Sequence, residues 1–354
     1  MPRFADLALP VALVLLQLIW SGIFQHLPWS GEAPNNPPDD QTGLKPAPAA
    51  TDTPKDRKGS GNQVAVVNAV KWLSSDGTSA TTAATGDGTE VPLFPLGAFY
   101  PPHSRPTLKI FEPRYRKLYQ DLLASGSESS EFAVTAVSET GQLAAFGVIF
   151  RIDELKDVAE ETQNQIKYLG RHTVMRRVQI RELVNPDAMR DTSSYLKAVV
   201  VPVEDDADSD EDFSELEADT IESFKDLISL YPNFRFPDFD GKEINASRQN
   251  GGLWHFASLW IDGYWANRAL VSQQQLLSQI QQITEDTDSE IGTLKQLLDS
   301  ELRRAQREQV TLGQQLLQSR SHQERLKLLR SAIKMERLFA AADDPEHQGV
   351  AFVG

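Results

Sequence analysis

The sequence contains no cysteine, and this absence limits its chemistry. Disulfide bonds, thiolate catalysis and cysteine-ligated zinc are all excluded. The six histidines lie far apart along the chain, and none belongs to a His-Glu-x-x-His pair. Although distant residues can converge in space, no motif here indicates a metal cage. We therefore expect neither a bound metal nor a cofactor.

Two catalytic motifs are also missing. The phosphate-binding pattern Gly-x-x-x-x-Gly-Lys-[Ser/Thr] does not occur, because Gly241-Lys242 is followed by Glu243 and lacks the upstream glycine. No Gly-x-Ser-x-Gly elbow occurs either. An enzyme of another type would need a nucleophile paired with a base, and no such pairing is visible in the sequence. We expect a protein that is not an enzyme.

Basic residues are outnumbered by acidic ones, which gives a formal net charge of −15. Nucleic acid is therefore not an expected partner, because phosphates require a basic surface. Between Lys197 and Lys225 the chain has eleven acidic residues and no basic one. This run predicts a solvated, mobile loop. The glycine and ligand spacing of a calcium-binding loop are missing from it.

The N-terminal quarter of the chain has the composition of a leader and a linker. Residues 1–25 contain an apolar run after Arg3 that is short for a membrane span and fits a signal peptide, with a retained anchor as the alternative. Residues 26–88 are of low complexity and predict a disordered linker. A hydrophobic leader followed by a disordered stretch predicts entry into the secretory route and resembles the leaders of plastid proteins. The alternative destinations are a secretory lumen or a membrane to which the protein stays anchored. Membrane contact is expected only through an uncleaved leader.

The most informative stretch begins at residue 91. It predicts a short strand containing Pro92 and Pro95, which favours a sheet edge or a barrel entrance because proline donates no ladder hydrogen bond. A proline-rich loop and a second strand at residues 108–111 follow. Glu112-Pro113 then predicts a helix start, and Gly126 predicts its end. The predicted buried face of this helix comprises Tyr115, Leu118, Tyr119, Leu122 and Leu123.

Two runs in this stretch, Pro-Leu-Phe-Pro-Leu-Gly at residues 92–97 and Ile-Phe-Glu-Pro-Arg-Tyr-Arg at residues 110–116, closely resemble the opening of the Lon protease N-terminal, substrate-binding domain. The chain has neither the ATPase nor the peptidase motifs of Lon, so we expect a stand-alone form. The positions that match the family pattern are Pro92, Phe94, Pro95, Leu96, Gly97, Phe111, Glu112, Pro113, Arg114, Tyr115, Gly147 and Gly170. The resemblance implies that most of them build the fold.

Further strands are predicted up to about residue 204. They cover residues 132–137, 143–152, 174–183 and 195–203. In the third, Val174, Val178 and Ile180 share one face, and Arg177 with Gln179 is expected on an exposed face. The resemblance extends here through Gly147, where a close backbone approach is expected, and Gly170. We predict an α+β fold with a small, mainly antiparallel, barrel-like Lon N-terminal β domain at 89–204 and one crossing helix.

The last part of the chain is predicted to be helical. An acidic and aromatic insertion at 205–251, in which residues 213–230 are predicted to be helical, precedes a helical domain at 252–341. Its apolar stripes predict a helical bundle. A coiled-coil seam is less favoured, because the heptads are irregular and Gly292 and Gly313 interrupt them. Residues 252–341 resemble the helical part of the family more weakly.

The resemblance implies a non-catalytic module that binds unfolded client proteins or their exposed apolar segments. It could serve as an adaptor in protein quality control or proteolysis that hands clients to a separate protease. The alternative is a structural or oligomerising scaffold built on the C-terminal helices. The candidate protein-binding residues lie in two aromatic loops: Phe99, Tyr100, His103, Phe234, Phe236 and Phe239.

Overall fold

The structure is a computed structural model that describes residues 70–74, 77–79, 88–124, 126, 130–138, 140–206, 213–231, 252–265 and 288–342. Three of the sequence-based predictions fall outside these residues. They are the leader at 1–25, most of the linker at 26–88, and the aromatic loop that carries Phe234, Phe236 and Phe239.

Strands dominate the first half of the described chain and helices the second. The strands are β1 Thr89–Leu96, β2 Thr107–Ile110, β3 Glu131–Val137, β4 Leu143–Asp157, β5 Tyr168–Leu183 and β6 Leu196–Pro202. The α-helices are α1 Pro113–Ala124, α2 Ser214–Ser229, α3 Gly252–Ser258, α4 Asp288–Gln318 and α5 His322–Ala342. A 3₁₀ turn, Pro186–Met189, precedes β6, and a π-helix, Leu259–Trp265, continues α3.

The six strands form one mixed sheet in the order β2-β5-β4-β3-β1-β6. The C-terminal part of β5 also pairs with β6, so five strands close into a ring of ladders. The ring is not a regular barrel, because β2 lies outside it and pairs with β5. Only the β1–β3 ladder is parallel; α1 lies in the crossover between those two strands. The predicted α+β, mainly antiparallel fold is confirmed.

The prolines of β1 are accommodated by staggered pairing. The N-terminal part of β1 pairs with β6, where Pro92 faces Lys197. Its C-terminal part pairs with β3, where Pro95 faces Thr135. Each proline therefore lies beside one ladder only, which a residue without an N–H group tolerates.

Helix α1 rests on the ring through the residues of the sequence motif. Tyr115 stacks on Phe94 with a centroid distance of 3.7 Å, and the Arg114 guanidinium lies 4.8 Å from the Tyr115 centroid. Arg114 also pairs with Glu112 at 2.7 Å. Four of the five predicted apolar positions are buried, but the prediction is wrong for Leu123, which is 57% exposed. That position lies at the margin of the stripe, beyond the reach of the sheet.

The two faces of β5 depart from the predicted half-buried strand. Val174, Val178 and Ile180 are in the core, as expected, but Arg177 and Gln179 are buried too. Helical residues from far along the chain contact Arg177, so alternation within β5 did not reveal the burial. The expected close approach at Gly147 is confirmed, because a Cβ atom there would lie 2.4 Å from the Val134 carbonyl oxygen.

Two short pieces of the predicted linker join the sheet. Trp72 forms an antiparallel bridge with Ala144, and Thr78 forms one with Glu182. Leu73 is buried, and its N–H donates to the Leu143 carbonyl at 2.8 Å. The folded part therefore includes residues before Thr89, because these apolar side chains cover part of the sheet that would otherwise meet water.

The later part of the acidic run is not a solvated loop, because it belongs to α2, where residues 213–230 are predicted to be helical, and packs on α5. Glu217 in α2 is buried and lies 3.2 Å from the His322 ring. Asp219 pairs with Arg330 and Lys334, both on α5, at 2.9 and 3.0 Å. The acidic residues of α2 thus meet the basic side of α5, and the two helices share the core that underlies the sheet. Among the described helices, none is both long and apolar enough to cross a membrane.

A buried histidine sits inside the ring. His172 is 1% exposed, and its Nε2 lies 2.7 Å from the Tyr119 hydroxyl. The rings of Phe132 and Phe150 surround it at 5.6 and 5.5 Å. Gly170 leaves room for the imidazole, because a Cβ there would lie 2.8 Å from His172 Cε1. Burial lowers the pKa of His172 to about 4, so the ring is neutral at physiological pH.

This burial predicts acid sensitivity. In the unfolded chain His172 becomes protonated below about pH 6.5, whereas in the folded chain it stays neutral down to about pH 4. The free energy of unfolding therefore falls as the pH decreases across that window. The loss should reach about 3 kcal/mol. Urea unfolding at pH 7.5, 6 and 5 measures this loss. In His172→Gln the free energy of unfolding should depend less steeply on pH, because one fewer proton is taken up on unfolding. Equal slopes for both proteins would contradict this assignment.

Candidate protein-binding site

A small pocket lies where the loop after β1 meets the ring and α4. Its volume is about 200 Å³, including the solvent at its mouth. The lining residues are Ala98, Phe99, Tyr100, Val134, Thr135, Ala136, Gly147, Val148, Gln314 and Leu317. Most of this wall is apolar, and the Thr135 hydroxyl is already engaged by the carbonyl oxygens of Ala144 and Phe146 at 2.8 and 3.0 Å.

Close packing of α4 on the loop shapes this pocket. Gly313 faces the Phe99 ring, and a Cβ atom at residue 313 would lie 2.3 Å from it. The Gln306 amide donates to the Gly97 carbonyl at 2.6 Å, which ties the loop to the same helix two turns earlier. Gly313 interrupts the heptad pattern, and α4 continues through it. Its role is to let the helix approach an aromatic ring.

The structure places the predicted contact residues of this loop in three different environments. Phe99 is 6% exposed and belongs to the core. Tyr100 is partly buried, lines the pocket and meets Phe150 edge to face at 5.2 Å. His103 is exposed in a turn with φ of 67°. Tyr100 and His103 are therefore accessible, and direct contact of these residues with a client stays a prediction.

Beside the pocket, an ionic cluster joins the sheet to the helices. We call Arg177, Asp205, Arg325 and Trp254 the arginine clamp. Arg325 binds both carboxylate oxygens of Asp205, at 2.7 and 2.6 Å, and Arg177 donates to the same carboxylate. The two guanidinium carbons lie 5.5 and 5.3 Å from the Trp254 ring centroid, within cation–π range.

Both arginines of the clamp also bind the turn between α4 and α5. Arg177 donates to the carbonyl oxygens of Leu317 and Ser319, at 3.1 and 2.5 Å, and Arg325 donates to Ser319 at 3.0 Å. Leu317 lies in the last turn of α4, whose carbonyls have no partner within the helix, and Ser319 directly follows that helix. The clamp therefore fixes the C-terminal end of α4, four residues beyond Gln314 in the pocket wall.

The clamp is electrostatically unbalanced, with two buried cations and one carboxylate. Burial, followed by the charge of Arg325, lowers the pKa of Arg177 to about 10, which still leaves it protonated at neutral pH. Burial alone would raise the pKa of Asp205, but hydrogen bonds from Arg325 and the charge of Arg177 hold it below its ordinary value. Asp205 is therefore ionised, and its negative charge stabilises the two neighbouring guanidinium groups.

Clamp and pocket share a wall, because Arg177 on β5 pairs with Val148 on β4, and Val148 lines the pocket. The alternation of residues in the sequence placed Arg177 on an exposed face of its strand. Asp205 lies in the acidic run that was predicted to be solvated, and no sequence motif singles out Arg325. The residues around Asp205 in the sequence do not indicate that its partner, Arg325, lies 120 residues further along the chain.

The family comparison decides what kind of domain this is. The family model of the ATP-dependent protease La (LON) substrate-binding domain matches residues 90–334, which is well over half of the chain. The chain belongs to the Lon substrate-binding domain family. The match runs from β1 into α5, so the Lon domain includes the ring, the clamp and the pocket between them. The resemblance found in the sequence is confirmed.

Two solved structures resemble this Lon domain. A Lon N-terminal domain protein from Xanthomonas campestris is 26% identical, over 37% of this chain and 70% of that one, with a TM-score of 0.29. The N-terminal domain of the Lon protease of the Mycobacterium avium complex is 15% identical, over 63% and 98%, with a TM-score of 0.30. No curated protein matches the chain.

The chemistry of the site is that of a binding surface. The Lon substrate-binding domain is a non-catalytic module. Within the described ranges, no group of three histidine, aspartate or glutamate side chains could hold a metal ion. The pocket offers apolar walls, one aromatic edge and the amide of Gln314. Such a surface can bury an apolar side chain and accept a hydrogen bond.

Removal of the clamp carboxylate should loosen the helices. Asp205→Asn removes the carboxylate that is hydrogen-bonded to both buried guanidinium groups, which should lower the free energy of unfolding by about 2–3 kcal/mol, less than for a fully buried pair. Urea unfolding measures the change.

The neighbouring Asp206 provides a matched control. It pairs with Arg320 on the surface at 2.8 Å, so Asp206→Asn should cost less than about 1 kcal/mol. Similar losses in the two variants would show that the clamp does not hold the helices on the ring.

The contact between Gly313 and Phe99 makes a second prediction. Gly313→Ala should destabilise the protein by about 1–3 kcal/mol through overpacking, although alanine favours helix. In a Phe99→Ala background the same change should be neutral or stabilising. A double-mutant cycle measures the coupling, with the exposed Ser331→Ala as a control. Additive effects would mean that the contact is loose.

Proposed function

We infer that this chain binds client proteins through exposed apolar segments, and that the pocket at the junction of ring and α4 is the contact site. The observation that carries this proposal is the position of the pocket inside the matched substrate-binding domain, between its β and helical parts. The pocket is an open, largely apolar depression whose volume of about 200 Å³ includes solvent at its mouth, so it offers a contact surface rather than an enclosed cavity.

The geometry favours apolar clients. Val148, Leu317 and Tyr100 line the pocket, and burial of an apolar side chain against them gains about 25 cal/mol per Å² removed from water. Folded proteins keep such side chains inside, whereas unfolded ones expose them. Selectivity for unfolded clients then needs no sequence motif in the client.

An adaptor role in protein quality control extends the proposal. The domain would hold a client and present it to a separate protease, in the secretory route or in a plastid. Support comes from the family, whose members bind protease substrates, and from a pocket with no paired nucleophile and base in its lining. Crosslinking of the full chain in its own compartment would identify such a protease.

Binding is tested with the full chain and one model client, presented unfolded and then folded. Fluorescence anisotropy should show saturable binding to the unfolded form and at least tenfold weaker binding to the folded one, about 1.4 kcal/mol. Tyr100→Ala should weaken the binding about fivefold or more, because an aromatic wall is lost.

The control is Tyr195→Ala. Tyr195 donates its hydroxyl to Asp121 of α1 at 2.9 Å and does not line the pocket. This variant should bind the client as the original chain does, and circular dichroism should show both variants folded. Equal affinity for folded and unfolded client would overturn the proposed function.

A scaffold role is the second candidate, favoured by two apolar side chains on the outer face of α5. Met335 is 50% and Leu338 is 65% exposed. If α5 mediates self-association, light scattering should give a mass above that of one chain, and Leu338→Glu should reduce it. A monomeric mass at all concentrations would exclude this role.

A further inference from the structure

A short segment that precedes the Lon match in the chain folds back into the sheet. We call it the N-terminal strap, and it comprises residues 70–74 and 77–79. Its first arm pairs with the start of β4, where the Leu73 N–H donates to the Leu143 carbonyl at 2.8 Å. In return, the Ala145 N–H donates to the Lys71 carbonyl at 2.8 Å. This arm therefore lies along β4 as an added antiparallel strand.

The second arm of the strap pairs with the end of β5. The Ser79 N–H donates to the Arg181 carbonyl at 2.8 Å, and the Leu183 N–H donates to the Gly77 carbonyl at 3.0 Å. Gly77 has a φ of 81° and lies in the turn between the two arms. The strap is therefore a bent segment with one arm on each of two neighbouring strands.

The strap fills a seam in the sheet. The ladder between β4 and β5 extends only as far as Phe146 and Gln179. Beyond that point β5 pairs with β6 on its other side, and the two arms of the strap lie where β4 and β5 separate. An open sheet edge binds extended chain through main-chain hydrogen bonds. The edge of β4 at residues 143–145 is therefore a surface that accepts an extended segment.

The side chains next to this edge select a large apolar residue. Trp72 is the bridge partner of Ala144 and packs on Ala136 and Val310. The two alanines leave room above the sheet for a broad side chain, and Val310 closes the site from α4. Ala136 also lines the pocket, and Gln314 of the pocket wall lies one turn after Val310. The Trp72 site therefore adjoins the proposed contact site.

The strap lies on the surface, and the fold does not close over it. Leu73 is 4% exposed, whereas Lys71, Ser74 and Thr78 are exposed. Order in such a segment costs backbone entropy that opposes the gain from its main-chain hydrogen bonds. A segment of another protein that forms the same pairs can therefore replace the strap.

We propose that the seam binds an extended client segment, which pairs with residues 143–145 of β4, and that the strap competes with the client for this site. This inference rests on the proposed function and specifies where a client segment binds and what limits its access. Neighbouring residues of a strand point to opposite faces, so Trp72 lies on the α4 side and Leu73 in the main core. The expected client segment is extended and has an aromatic residue next to an aliphatic one.

A reversible crosslink tests whether the strap must leave. Thr78 and Glu182 are exposed and form a bridge of the non-hydrogen-bonded type, in which Cα atoms lie about 4.5 Å apart, within disulfide range. Because the chain has no cysteine, Thr78→Cys combined with Glu182→Cys can form only one disulfide within it. In the full chain, the oxidised variant should bind the unfolded client about fivefold or more weakly than the reduced variant does. The original chain should bind equally under both conditions.

Release of the strap should have the opposite effect. Leu73→Asp places a charge at a buried position, so it should free the seam and tighten binding of the unfolded client about fivefold or more. A peptide of residues 70–79 should displace the client from this variant, and the same peptide with Trp72→Ala should do so about fivefold less well. The matched control is Leu123→Asp on α1, an exposed position that should leave client binding unchanged. Circular dichroism should show both variants folded.

The possible failures are distinguishable. Equal client binding by the oxidised and reduced variant would show that the strap is a fixed part of the sheet, so this inference would be wrong while the proposed function stands. Unchanged or weaker binding by a folded Leu73→Asp would also overturn it. If Leu73→Asp does not fold, the crosslinked variant decides alone. If no form of the chain binds the unfolded client, the proposed function fails and this inference fails with it.

Discussion

The fold depends on one carboxylate shared by two buried arginines. Asp205 follows the last strand of the ring, Arg177 lies within β5, and Arg325 lies in the first turn of α5. Without Asp205, which is itself partly exposed, two buried guanidinium groups would lose the carboxylate that they share. With it, they also bind the carbonyls that end α4 and stack beside Trp254. Strand β5, the segment after β6, and helices α3, α4 and α5 all meet at this cluster.

The clamp determines where the proposed binding surface can form. It fixes the end of α4 against β5, and the preceding turn of α4 packs through Gly313 on Phe99. The pocket is the space left between these two contacts. Because both chain segments that form the site are fixed by these contacts, the site can keep a constant shape. The client, which is extended, then adapts to it. We attribute binding to the junction rather than to either part alone.

Local patterns in the sequence predicted the ring and its crossing helix well, because strands and helices bury faces with a fixed period. The motif from Pro92 to Tyr115 also indicated the family to which the chain belongs. Periodicity could not show that α4 would cover the outer face at Arg177, since the two meet about 140 residues apart. The same limit hid Asp205 within an acidic run. Gln314 gives no signal at all, because its place in the pocket wall is visible only in three dimensions.

Hydrogen exchange of the full chain, with and without an unfolded client, tests the central claim most directly. Backbone amides that a client covers exchange more slowly, and mass spectrometry locates them along the chain. The account predicts protection of residues 98–100 and 314–318, with little change on the outer face of α5. Protection confined to α5 around Met335 and Leu338, with the junction unchanged, would contradict it.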